Sequence, residues 1–170
     1  MRVVAYVRES VDPSEERPAF AQQEEIRRHA AAHGLQVVAV CQDVPRPGLT
    51  LGREGYRSLL GMVGAGNAQA VLLPGVDTLS ADLVVQEIML WDLRARGARV
   101  LSTDAADVEV LGPVPADPTR RFVRDVLARV AEYREALASS GSPFPTGVDA
   151  EGERVVVQLM AAGEATGDDA

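Results

Sequence analysis

The sequence predicts an α/β fold: an open, mostly parallel sheet of four or five strands with helices on both faces, followed by a long C-terminal helix. Short apolar runs recur through residues 3–102, and a stretch with helical periodicity separates each run from the next. Parallel strands need crossover connections, so this alternation is typical of a parallel sheet. Right-handed crossovers place the helices on both faces.

The predicted strands are short apolar runs of the kind that parallel sheets bury on both faces. They are residues 3–7, residues 35–41, Ala70–Leu73 and Arg99–Ser102. Asp107–Leu111 is a candidate fifth strand at one edge of the sheet. The sequence therefore predicts four strands, with a fifth possible at an edge.

Three helices are predicted between the strands, over residues 15–33, 54–63 and 81–96. In the first of them Phe20, Ile26 and Ala30 share a face that is available for packing. Gly34 and Gly97 follow the first and third helices, where glycine is a natural C-terminal stop. Each predicted helix thus has an apolar face to set against the sheet.

The long helix begins at Asp117, a good N-cap, with Pro118 at the first helical position. Its apolar stripe is wide enough to pack on the sheet and still offer a surface to a partner helix. The stripe comprises Phe122, Val123, Val126, Leu127, Val130, Tyr133 and Leu137. We therefore expect an α/β domain over residues 1–116, a dimerisation helix over 117–138, and a mostly flexible acidic tail over 139–170. Residues 154–160 are a possible short strand or docking segment in that tail.

The charge balance argues against a general polyanion binder. All 17 basic residues are arginine, and 25 carboxylates bring the net charge to −8. Residues 141–170 carry six acids and one arginine, a net of −5. A role with nucleic acid would have to depend on local arginine clusters. The arginines of the long helix could touch DNA phosphates, but such residues usually form a solvated helix face, here partly paired with Asp125, Glu132 and Glu135.

Other classes of protein are disfavoured by what the sequence lacks. No apolar run approaches the roughly 20 residues that cross a bilayer, so a soluble, cytoplasmic protein with no membrane partner is expected. Cys41 lies in an apolar run and is predicted to be a small buried hydrophobe. His29 and His33 share one predicted helix, which favours a solvated face over a metal site. No cofactor and no metal are predicted.

The informative position is the end of the first strand, because open α/β sheets bind ligands where their strands end. The strand ends in Tyr6-Val7-Arg8-Glu9-Ser10. Ser10 and Asp12 are open to a purely structural interpretation, as residues that cap or turn the chain before the first helix. The glycines between residues 61 and 66 fall at the end of a helix, so they form no phosphate-binding loop.

The pattern Tyr6-x-Arg8-x-Ser10 resembles the catalytic motif of the serine recombinases, the resolvase and invertase family. Gln22 stands where that family carries a glutamine in its first helix. The stretch 43–55, which contains Arg53, resembles the family's loop ending in Asp-Arg-Pro-Gly, and residues 71–81, which contain Asp77, resemble its strand followed by Lys-Leu-Asp-Arg-Leu-Ser-Arg. Residues 131–135 look like the start of its dimerisation helix.

The resemblance implies site-specific DNA recombination, with Ser10 attacking a DNA phosphodiester to form a phosphoserine link. Arg8 and Arg53 would hold the phosphate, Asp77 would orient their guanidinium groups, and Gln22 would support the pocket. DNA, bound weakly without a separate DNA-binding domain, a homodimer or higher oligomer, and another recombinase are the implied partners.

The sequence departs from the family at three cationic positions and in its C-terminal part. Thr78 and Ala81 replace two arginines, and Gly75 replaces a lysine. After Leu137 no arginine-rich continuation and no helix-turn-helix are recognised. The loss of transition-state donors predicts impaired cleavage. The alternative is a non-catalytic, dimerising regulatory module derived from a recombinase; an unrelated flavodoxin-like binding module is a third possibility.

Overall fold

The computed structural model describes residues 1–9, 18–44 and 53–139. Within these ranges the strands are β1 (Arg2–Arg8), β2 (Gln36–Asp43), β3 (Ala70–Leu73) and β4 (Arg99–Ser102). The helices are α1 (Ala19–Ala32), α2 (Glu54–Gly64), α3 (Leu83–Ala95), α4 (Asp107–Leu111) and α5 (Pro118–Ser139), with a 3-10 turn at Val76–Thr78. The predicted alternation of strands and helices is confirmed.

The four strands form one parallel sheet in the order β2-β1-β3-β4. The central strand β1 pairs with β2 on one side and β3 on the other, and the side chains of residues 3–7 are all fully buried. Because all four strands run the same way, their carboxyl ends meet at one edge. That edge holds the segments that follow Arg8, Asp43 and Leu73.

Helices cover both faces of the sheet, as predicted. On one face Tyr6 and Val71 pack with Tyr56 and Leu59 of α2 and with Leu90 of α3. The opposite face packs against α1 through residues that include Ile26 and Ala30. Cys41 is buried at 7% exposure, which confirms the prediction that it is a small core residue.

Two predicted packing roles were wrong, one on β2 and one on α1. This strand lies at the edge of the sheet, so Val38 and Val40 are 37% and 40% exposed instead of buried. Phe20 of α1, expected on the packing face, is 70% exposed. Phe20 and Ile26 are six residues apart, so their side chains differ in direction by about 120° around the helix axis. Ile26 faces the core, and Phe20 does not.

The segment Asp107–Leu111 is a helix and not the candidate fifth strand. The Asp104 carboxylate accepts a hydrogen bond from the Ala106 amide at 2.8 Å, which starts a turn directly after β4. The Asp107 carboxylate then reaches back to the Val76 amide at 2.8 Å. These polar contacts turn the chain over the end of the sheet, so the segment cannot continue along its edge.

The N-cap of the long helix is confirmed: the Asp117 carboxylate accepts from the Arg120 amide at 2.9 Å. The prediction of a solvated arginine face was wrong for Arg120 and Arg124, whose side chains are only 12% and 13% exposed. Both donate to the Glu87 carboxylate, which is 1% exposed. Arg129 does pair with Asp125 at the surface, at 3.0 Å, as expected.

The chain divides into two compact units, Met1–Val130 and Ala131–Ala170. The sheet and helices α1–α4 belong to the first unit. Residues 154–160 lie outside the described part of the chain. No helix among the described residues is both long enough and apolar enough to span a bilayer.

Candidate active site

The end of β1 is fixed by a glutamine of α1. The Gln22 side chain donates from Nε2 to the Arg8 carbonyl at 2.7 Å and accepts from the Arg8 amide at 3.2 Å. Because Gln22 is 4% exposed, this pair of bonds fixes the backbone at the last residue of the strand. Ser10, two residues further on, lies outside the described residues.

A buried aspartate joins β1, β2 and the start of α2. Asp43, the last residue of β2, accepts from the Tyr6 hydroxyl at 2.8 Å and from the amides of Gly55 and Tyr56 at 2.8 and 3.1 Å. The first amides of a helix lack partners within the helix, and Arg53, at the N-cap position, supplies no side-chain bond to them. A carboxylate from the neighbouring strand therefore caps α2, where the helix dipole also favours negative charge.

This cap requires glycine at position 55. A Cβ built there would lie 2.6 Å from the Gln42 carbonyl oxygen and 2.9 Å from Cγ of Asp43. Side-chain carbons are not found at such distances from backbone atoms. Gly55 thus permits the close approach of α2 to β2 that puts the Asp43 carboxylate on the helix amides.

Arg53 connects the site to the segment after β3. Its Nη1 donates to the Leu79 carbonyl at 2.8 Å, and its guanidinium lies close enough to the Tyr6 hydroxyl to lower the pKa of that phenol. Arg53 therefore spans from the central strand to the loop that carries Asp77. Arg8 and Asp43 are paired in the register of β1 and β2. Because Asp43 also binds the first amides of α2, it holds the start of that helix, including Arg53 at the N-cap position, near the end of β1.

Burial governs the titration of the phenol and thiol near this cap. Burial raises the pKa of Tyr6 well above its ordinary value, the Asp43 carboxylate raises it further, and the Arg53 guanidinium acts in the opposite direction. Burial likewise raises the pKa of the Cys41 thiol, with Asp43 adding to the effect. Tyr6 is therefore held protonated as a donor to Asp43, and Cys41 is not activated as a nucleophile.

The loop after β3 is fastened at several points, and Asp77 is exposed on it. Asp77 Oδ1 accepts from the Thr78 amide at 3.0 Å. Asp107 accepts from the Val76 amide and, at 2.6 Å, from the Ser102 hydroxyl. A Cβ at Gly75 would overlap Asp77 Oδ1, so a side chain at position 75 would require the Asp77 carboxylate to move.

Four of the five predicted site residues thus lie on segments that meet at the carboxyl edge of the sheet: Arg8, Gln22, Arg53 and Asp77. The sequence interpretation assigned no role to Tyr6 and Asp43, which organise this edge. Both stood inside the quoted motifs, and a signal existed for each. A tyrosine in an otherwise aliphatic buried strand needs a hydrogen-bond partner, and so does an aspartate at the end of one.

The two histidines form no chelating pair. Their rings stack with centroids 4.1 Å apart, and His33 Nδ1 lies 2.8 Å from the His29 carbonyl oxygen. Partial burial and the neighbouring His33 lower the pKa of His29. No group of three or more His, Cys, Asp or Glu side chains suited to a metal ion occurs among residues 1–9, 18–44 and 53–139.

The model of one protein family, "Resolvase, N terminal domain", matches residues 3–142. The chain belongs to the resolvase family of serine recombinases. The match includes every strand and helix α1–α5, so the resolvase resemblance recognised in the motifs extends through the whole described fold. No curated protein sequence matches this resolvase-family chain.

Solved structures share the fold of this resolvase-family chain at low sequence identity. The C-terminal catalytic domain of ISC1926 TnpA, an IS607-like serine recombinase, has a TM-score of 0.53 and 22% identity, over 78% of this chain and 83% of that one. The N-terminal catalytic domain of TP901-1 integrase has a TM-score of 0.53 and 18% identity, over 81% and 98%. A resolvase family site-specific recombinase from Streptococcus pneumoniae has a TM-score of 0.53 and 15% identity, over 83% and 94%.

Proposed function

We propose that this protein performs serine-recombinase chemistry on DNA in the cytoplasm, slowly, with Ser10 as nucleophile. The Ser10 hydroxyl attacks a backbone phosphorus, a phosphoserine ester forms to the 5′ end, and the 3′ oxygen leaves and takes up a proton. Attack by a 3′-hydroxyl on the phosphoserine reverses the step and releases Ser10. No metal or cofactor is required by this exchange of esters.

The observation that carries the proposal is the position of Arg53. Its guanidinium is anchored by the bond from Nη1 to the Leu79 carbonyl and lies near Tyr6, on the strand that leads through Arg8 to Ser10. A phosphoryl group in transfer spreads negative charge over its non-bridging oxygens, and a fixed guanidinium fork stabilises that charge without reorganising. We assign phosphate binding to Arg8 and Arg53, support of the strand end to Gln22, and orientation of a guanidinium to Asp77.

The loop after β3 is the reason for expecting a slow reaction. Thr78 and Ala81 carry no charge, and Gly75 cannot be extended without displacing Asp77. Removal of one transition-state donor typically lowers the rate about 10²- to 10³-fold, so the loss of two could lower it by about 10⁴-fold or more. Ser10 would then act on DNA with fewer cations around the phosphate than the family motif supplies.

The second candidate function is a dimerising module without catalysis, pairing with itself or with an active recombinase. It is favoured by the contact of Asp77 with its own loop amide and by apolar side chains on α5 that face solvent. Phe122, Val126 and Val130 are 68%, 41% and 50% exposed, at a spacing of four residues. Such a stripe fits the packing of one helix against another.

Incubation with nicked or mismatched duplex DNA, followed by denaturing gels, separates the two candidates. We expect a protein–DNA adduct from the native chain and from Ser14→Ala, and none from Ser10→Ala. Adduct formation that survives Ser10→Ala would refute the nucleophile assignment. If the native chain gives no adduct on any substrate, but forms a dimer, the non-catalytic function is the correct one.

A further inference from the structure

A cleft of about 520 Å³ lies between α3, the segment after α4 and α5, and none of its lining residues belongs to the candidate active site. It is lined by Trp91, Arg94, Ala95, Pro113, Arg124, Asp125 and Ala128. All of these belong to the first compact unit. Trp91 is the single tryptophan of the sequence.

The polar part of the cleft carries an excess of positive charge. Arg94 donates from Nη2 to the Leu111 carbonyl at 2.8 Å, which is a neutral acceptor. Arg124 is paired with Glu87, but the same carboxylate also holds Arg120. One buried carboxylate therefore pairs with two guanidinium groups, and Arg94 adds a third positive charge close to Arg124. Burial lowers the pKa of Arg94 and the charge of Arg124 lowers it further, while the Glu87 carboxylate acts in the opposite direction.

The acidic residue in the cleft lining does not relieve this excess. Asp125 is 59% exposed and forms a surface ion pair with Arg129 at 3.0 Å. An anion that entered the cleft would meet the Arg94 guanidinium, which lines it, and would gain charge-assisted hydrogen bonds. A cation would gain nothing comparable from the same lining.

The remaining walls are apolar. Trp91 offers an aromatic surface that is partly exposed, and Ala95, Pro113 and Ala128 add small aliphatic ones. Ligand sites usually combine such a lining with a few polar groups that fix orientation. We propose that the Trp91–Arg94 cleft binds a small carboxylate with a planar apolar body, its acid on Arg94 and its ring against Trp91. This site is independent of the proposed reaction at Ser10.

The test uses 3-phenylpropionate as the probe, with 3-phenylpropanol and propionate as its neutral and non-aromatic counterparts. Neither benzene derivative absorbs where tryptophan is selectively excited, so Trp91 fluorescence reports binding directly. We expect saturable binding of 3-phenylpropionate to the full chain. The alcohol should bind about tenfold or more weakly, since a hydrogen bond to a charged group contributes about 1.5–3 kcal/mol. Propionate should also bind more weakly, because it lacks the ring that would contact Trp91. Equal binding of acid and alcohol, or no saturable change with the acid, would overturn the proposal.

Matched arginine variants locate the site. Arg94→Gln should weaken binding of 3-phenylpropionate about ten- to hundredfold. Arg96→Gln, at the C-cap of the same helix but outside the cleft lining, should leave the affinity unchanged. Circular dichroism establishes that each variant is folded; should Arg94→Gln fail to fold, the comparison of acid with alcohol on the native chain decides alone. A folded Arg94→Gln that binds the acid as tightly as the native chain would also overturn the proposal.

Discussion

The Glu87 carboxylate accepts a hydrogen bond from Nε of Arg124 at 2.6 Å, with 1% of the glutamate side chain and 13% of the arginine side chain exposed. Arg120 completes the cluster at 2.7 Å from the other carboxylate oxygen. The cluster joins α3 to the first turns of α5. Arg120 and Arg124 are consequently structural residues, and DNA phosphates would have to be bound by other arginines.

Replacing Glu87 with glutamine should destabilise the fold strongly. Removal of one partner from a buried ion pair typically costs about 3–5 kcal/mol, because the remaining charge is left buried without compensation. Urea unfolding followed by circular dichroism measures the change. The matched control is Asp125→Asn, which breaks an exposed pair with Arg129 and should cost less than about 1 kcal/mol. Equal effects of the two variants would show that the Glu87 cluster is not a buried pair in solution.

Gly55→Ala should destabilise the chain, because its methyl group would meet the Gln42 carbonyl oxygen. Overpacking of this kind costs about 1–3 kcal/mol. Gly61→Ala is the control on the same helix, where no atom lies within 4 Å of a built Cβ. It should be stabilising by up to about 1 kcal/mol, since alanine is the better helix former. Thermal unfolding of the two variants should therefore shift in opposite directions, and a shift in the same direction would contradict the packing at Gly55.

Tyr6 and Tyr56 should resist ionisation as long as the protein is folded. Burial raises the pKa of both phenols, and the Asp43 carboxylate raises that of Tyr6 further. A pKa that is higher in the folded state gives stability that is fully present below the unfolded value of about 10 and is lost as the pH rises above it. Absorbance at 295 nm in a Tyr133→Phe background, which leaves two phenols, should thus develop near pH 10 in urea and only on alkaline unfolding in buffer.

In the same titration, development of both phenolate signals near pH 10 in the folded protein would contradict the burial of the Tyr6–Asp43 bond. Tyr6→Phe is the control that assigns the titration signal to Tyr6, because it removes that phenol. It should also lower the free energy of unfolding by about 1–3 kcal/mol, because Asp43 loses one hydrogen-bond donor.

The exposed stripe on α5 predicts self-association. Val126→Asp should reduce the mass measured by light scattering from that of a dimer or larger species to that of a monomer, since an aspartate cannot be buried cheaply between two helices. Thr119→Asp adds the same charge at the exposed start of the helix and should leave the mass unchanged. A native chain that is already monomeric at micromolar concentration would contradict the dimer.

Local patterns in the sequence determined the elements and their order. Apolar runs and helical periodicity predict β1–β4 and helices α1, α2, α3 and α5, because burial and helix termination are local requirements. The motifs likewise placed Arg8 at the end of the first strand, Gln22 on the first helix, and Arg53 and Asp77 on the loops that follow the second and third strands. Asp117 is a cap because its amide partner is only three residues away.

Only the tertiary structure decided which strand lies at an edge, and hence that Val38 and Val40 face solvent. It also decided that Asp107 turns its segment into a helix, that Asp43 caps α2 from a neighbouring strand, and that two arginines of an amphipathic helix are buried on Glu87. Each of these depends on a partner more than ten residues away in the chain. Periodicity reports which side of an element is apolar, but long-range contacts determine which polar group finds a partner there.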